Sequence, residues 1–220
     1  MKNLIHICTI FPLLFILLGS CKEKSATPVD TTVSIAEMVD YYIVAEVRNI
    51  DRKLYVLSFA KDGNIVKASA HVRGGLRIQE ANLDNGTFKF DHNSDGALVF
   101  TFSLEKDANG KMRLKSYDLI KNGIGNNMSH ALVVKKSEVT PILNKSFWVK
   151  TLGFKLVTEE NRDVLQWIDG KRYAAYKLDN YGFKTNQDEF MGIMVPSWTS
   201  HTSPVMLIES GDQVTIGTTE

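Results

Sequence analysis

Six consecutive residues, Asp91-His92-Asn93-Ser94-Asp95-Gly96, put oxygen ligands at positions one, three and five and glycine at six, which is how a calcium loop begins. The twelfth position, where a bidentate Glu closes the coordination shell, is Phe102, which falls in a run that alternates like a strand. Asp91, Asn93 and Asp95 therefore read first as turn residues, with calcium as the one cofactor to look for. The histidines beyond the leader are His71, His92, His130 and His201, and none has a His or Cys at zinc-ligand spacing. Ser129 and His130 are neighbours, which sends their side chains to opposite faces of an extended chain. A nucleophile elbow, a His-Glu-x-x-His motif and a phosphate loop are all missing, and Gly123-Ile124-Gly125 lacks the third glycine of a dinucleotide fingerprint. The acidic pairs Glu159-Glu160 and Asp188-Glu189 could work on a glycosidic bond only if folding set two carboxylates about 5 to 9.5 Å apart. They are read as solvated loop charges.

The remaining chemistry is aromatic. Trp148, Trp167, Tyr173, Tyr176, Tyr181, Phe183, Phe190 and Trp198 crowd the last third of the chain, which holds all three tryptophans. Trp and Tyr join apolar area to a polar handle, a combination suited to sugar or peptide contacts. Trp148, Trp167, Tyr181, Phe183 and Trp198 are the candidate ligand-binding residues. Most large rings in a domain of this size are expected in the core.

At the N-terminus, Lys2 precedes a nearly uncharged apolar run, Leu4 to Leu18, which ends at Gly19-Ser20-Cys21. A charged start, an apolar stretch of this length and small residues before a cut describe a signal peptide, and the run is too short and too interrupted by Pro12 to make a convincing permanent span. Leu18-Gly19-Ser20-Cys21 resembles the lipobox of bacterial lipoproteins, with Gly19 where Ala, Ser or Thr is usual. The resemblance implies removal of residues 1–20, acylation of Cys21 and attachment to a membrane through lipid. The outer membrane is the expected site, because Lys22 stands where an inner-membrane retention Asp would be. Cys8 leaves with the signal, so acylation also accounts for the one thiol left in an oxidising compartment.

Residues 21–33 are polar, contain Pro28 and read as a flexible tether. Ser34-Ile35-Ala36-Glu37 has capping-box spacing and predicts one helical turn leading into Tyr41-Tyr42-Ile43-Val44-Ala45-Glu46-Val47, a strand by its β-branched and aromatic content. Short alternating runs follow, divided by Asp62-Gly63, Asp95-Gly96, Asn109-Gly110 and Asp169-Gly170, the pairs that supply positive φ in hairpins. The region from Thr158 to Asp163 reads as a polar loop or one helical turn. The pattern predicts an all-β body, an antiparallel sandwich or lipocalin-like barrel with at most one or two short helices. Residues 34–220 are expected to form one β-rich domain, with a sub-boundary near 137–146 around Thr140-Pro141.

Of the 26 basic residues only Lys2 lies in the first twenty, so the body is balanced against its 25 acidic ones. Such a chain has no electrostatic case for nucleic acid. The function expected is that of a tethered, non-catalytic binding or accessory module for a small apolar or saccharide ligand. An envelope hydrolase with dispersed carboxylates and a structural subunit of an envelope complex are the alternatives. Replacing Cys21 by Ala is expected to abolish labelling with radioactive palmitate and to leave the precursor uncut. Wild-type labelling of the Cys21→Ala protein would refute the lipid anchor.

Overall fold

The computed structural model describes residues 32–51, 53–149, 152–187 and 189–219. Cys21, the signal peptide and all but the last residues of the tether lie outside the described residues. Ser34 donates its backbone N–H to Glu37 Oε2 at 2.9 Å, and Glu37 also pairs with Lys106 at 2.8 Å. This closes the expected turn, a 3-10 segment over Ile35–Asp40. Nine strands follow: β1 (Tyr41–Val47), β2 (Leu54–Asp62), β3 (Ile65–Val72), β4 (Gly75–Glu80), β5 (Leu83–Asp84), β6 (Thr87–Asp91), β7 (Leu98–Lys106), β8 (Met112–Lys121) and β9 (Met128–Lys135). A second 3-10 turn at Lys136–Glu138 opens the connection to eight more. These are β10 (Ser146–Val149), β11 (Leu152–Glu159), β12 (Arg162–Trp167), β13 (Arg172–Leu178), β14 (Gly182–Thr185), β15 (Phe190–Val195), β16 (Val205–Ser210) and β17 (Gln213–Thr219). The fold is all-β and antiparallel. No helix among the described residues is long and apolar enough to cross a membrane.

The first nine strands make two sheets, ordered β4-β3-β2-β1-β9 and β5-β6-β7-β8, packed face to face. Phe88, Phe90, Phe100 and Phe102 come from one sheet, Tyr55 and Phe59 from the other, with neighbouring ring centroids 4.6 to 6.4 Å apart. Side chains stitch the seams where no ladder runs. Gln79 on β4 donates to Lys89 O at 2.8 Å and accepts from Asp91 N at 3.1 Å, linking β4 to β6. Asn127, just before β9, is buried and donates to Leu119 O on β8 and to Ile124 O.

The last eight strands close into a barrel, each pairing with the next and β10 with β17. Its lumen is filled by rings. Phe147 stacks on Phe154 at 5.3 Å, and Phe154 meets Trp167 at 5.1 Å and Phe183 at 5.6 Å. Phe183 lies opposite Gly192, where a Cβ would come within 2.5 Å of the ring, so glycine makes room for it. An eight-stranded barrel is just wide enough for side chains to fill, and this one is filled.

The barrel wall packs on the outer face of the first sheet. β1 is buried at six of its seven residues, because its two faces meet different partners. Tyr41, Ile43 and Ala45 face the sandwich core, whereas Tyr42 and Val44 join Leu54 and Val56 of β2 against Ile193, Val195, Val205 and Leu207 of the barrel. Such a strand reads as an unbroken apolar run, unlike Phe100-Thr101-Phe102-Ser103-Leu104, where alternate residues are buried. Tyr42 donates its hydroxyl to Met194 O at 2.5 Å. Glu209, with no exposed area, accepts from Lys53 N at 2.9 Å and Leu54 N at 3.4 Å and lies 3.6 Å from Arg73 Nε.

The expected loop or helical turn over Thr158 to Asp163 is mostly strand. β11 runs to Glu159 and β12 starts at Arg162, joined by Glu160 and Asn161 at φ 48° and 64°. Two successive positive φ values make the tight hairpin that Asn-Gly usually makes, and Glu160 carries no sequence sign of it.

Candidate functional site

β10, β11 and β12 build an open groove of about 360 Å³ on the barrel. Register sorts the two faces of these strands. Phe147 pairs with Phe154, and Phe154 with Trp167, on the inward face; Ser146 pairs with Lys155, and Lys155 with Gln166, on the outward one. Trp148 faces outward opposite Gly153, where a Cβ would sit 2.5 Å from the ring's Cζ3. The glycine therefore lets the half-buried indole lie flat on the backbone of β11. Its Nε1 is buried and has no hydrogen-bond partner among the described residues. The far rim is the Asp169-Gly170 hairpin, held by Gly170 N to Trp167 O at 3.0 Å and Trp167 N to Lys171 O at 2.9 Å. Ile168 donates to Gly153 O at 2.8 Å and leaves its side chain 62% exposed beside the groove.

Two of the five aromatic candidates thus line one groove, Trp148 and Trp167. Trp167 belongs mainly to the lumen cluster, half-buried between Phe154 and Phe190. Phe183 is core, fully buried in the barrel. Trp198 is 3% exposed on the β15–β16 connection and packs edge-on to His130 of β9 at 4.5 Å. Tyr181 stacks on Tyr42 at 5.9 Å where the two halves meet. Lys155, Gln166 and Ser146 were not singled out by sequence. Their signal is the alternation of Ser146-Phe147-Trp148 and Phe154-Lys155-Leu156, which becomes informative only once the strands are in register.

In the Asp91–Gly96 loop, Asp91 accepts from Ser94 N at 3.0 Å through one oxygen and from Gly96 N at 2.8 Å through the other. Asp95 accepts from Ala97 N at 2.8 Å. These carboxylates brace their own turn, and among the described residues no three His, Cys, Asp or Glu side chains converge as a metal set. Glu159 pairs with Arg172 at 3.2 Å and Glu160 lies 3.9 Å from Arg162, while Asp188 falls outside the described residues.

One constellation has the residue types of covalent catalysis. Ser58 Oγ and His71 Nε2 lie 3.1 Å apart, and Asp179, Tyr42 and Tyr181 border the same void between the sheet and the barrel. That void measures about 10 Å³, space for one water and for no substrate. Asp179 is held at 3.1 Å by Lys136, and His71 Nδ1 is buried without a partner. The void belongs to the interface.

No protein-family model, curated protein or solved structure significantly matches the chain.

Burial, reinforced by the charge of Lys184 and opposed by Asp179, lowers the His71 pKa to about 4. A histidine held neutral in the fold is protonated first in the unfolded chain, so stability falls as pH drops from about 6.5 and levels off below about 4. His92 and His130, lowered by burial, act in the same direction. Urea midpoints at pH 7, 5.5 and 4.5 are expected to show a loss of up to about 3 kcal/mol from this group. His71→Gln should remove most of that slope. An unchanged slope in the variant would mean that His71 does not govern the acid sensitivity.

Proposed function

We propose that this chain is an envelope lipoprotein, anchored in the outer membrane through acylated Cys21, whose folded body is a non-catalytic binding module for a saccharide or small apolar ligand. The observation that carries the reading is the Trp148 groove. A half-buried indole over a glycine backbone and polar neighbours in one outward row are the parts of a site that stacks a ring and bonds its edges. The filled lumen supports a site on the wall rather than in the barrel interior, where a lipocalin would hold its ligand. The paired acidic residues and the closed Ser58–His71 void favour binding over hydrolysis. The remaining tether, residues 21–33, gives the module reach from the membrane.

A glycan array followed by intrinsic-fluorescence titration tests this. Trp148→Ala should weaken binding at least about fivefold, the loss of about 1 kcal/mol of ring contact, with little change in the urea midpoint. Trp198→Ala should instead cost about 3 to 5 kcal/mol of stability and leave the affinity of the folded protein unchanged. Binding that survives Trp148→Ala at full strength would move the site elsewhere.

A further inference from the structure

Resting on the binding reading above, we infer that the groove selects saccharides that carry an anionic substituent, with Lys155 as the residue that reads the charge. Among the described residues lining the groove, Lys155 is the one charged side chain, and no carboxylate is present. It is exposed and makes no ion pair among the described residues, whereas its cationic neighbours are engaged. Arg172 bonds to Glu159 at 3.2 Å and Lys171 lies 3.7 Å from Asp169.

The polar lining is also biased toward donors. Lys155 offers three N–H groups and cannot accept. Gln166 and Ser146, paired with Lys155 across the ladder, donate and accept. A ligand that satisfies this set is rich in acceptors and negative, such as a pyranose bearing a carboxylate or a phosphate. Its ring would lie against Trp148 and its anion would reach Lys155, which stands on the same outward face two ladder positions along.

Titration calorimetry with four probes separates the outcomes: trigalacturonic acid, its neutral methyl ester, mannose 6-phosphate and mannose. The wild type should bind each anion at least tenfold tighter than its neutral counterpart, with the preference shrinking as salt rises from 0.05 to 0.5 M. Lys155→Gln should bring the ratios near one while neutral-sugar binding persists, and Lys155→Glu should invert them. Tighter binding of the phosphate than of the uronate keeps the inference and identifies the anion. Equal binding of charged and neutral sugars by the wild type, still lost in Trp148→Ala, overturns the charge selection and leaves the binding reading standing. If none of the four binds, both fall.

Discussion

A carboxylate without solvent contact is strongly destabilising unless its oxygens are hydrogen-bonded or paired with a cation, and Glu209 meets this requirement on the other half of the chain. Its acceptors take the N–H groups of Lys53 and Leu54, at the point where β2 begins, and Arg73 approaches from the β3–β4 turn. Separating the barrel from the sheet would therefore leave a charge and two donors to find new partners at once. Tyr42 adds its hydroxyl bond to Met194 O, and burial pushes its phenol pKa up, keeping it protonated as a donor. Around these polar contacts, Val44, Leu54 and Val56 press on the barrel wall with apolar area alone.

That docking decides which faces of the barrel stay open to solvent. The outward residues of β14, β15 and β16 are consumed by the sheet, and the lumen is packed with phenylalanines. The outward side of β10, β11 and β12 carries a groove of about 360 Å³, and a second cavity of about 310 Å³ lies beside Phe147, Met194 and Thr218. The body carries no net charge, and Lys155 stands in a groove free of carboxylates among its described residues.

Much of the architecture was legible. β3, β10 and β15 have the bounds that their alternating or β-branched residues and flanking turn signals imply, and Asp169-Gly170 makes the hairpin expected of it. β4 and β14 escaped notice for physical reasons. β4 is an edge strand with three exposed residues in a row, so it has no buried face to write into its sequence. β14 is four residues long, and its first residue, Gly182, sits against Gly192 O with no side chain to signal a face. The aromatic excess was visible as composition, but alternation alone does not separate Trp148 from Phe183. One lies over Gly153 on the outside and the other over Gly192 on the inside, and only the register between strands distinguishes them. The Asp91–Gly96 motif matched a ligand pattern because Asx turns and calcium loops draw on the same residues.

Differential scanning calorimetry of the folded body tests the central claim, that the shared wall makes sandwich and barrel one cooperative structure. The wild type should melt in a single transition whose calorimetric and van't Hoff enthalpies agree. Glu209→Ala, which removes the acceptor of two amides and the carboxylate beside Arg73, should lower that one melting temperature by roughly 6 °C or more, or divide the transition in two. Two separate transitions in the wild type, or a Glu209→Ala protein that melts where the wild type does, would contradict it.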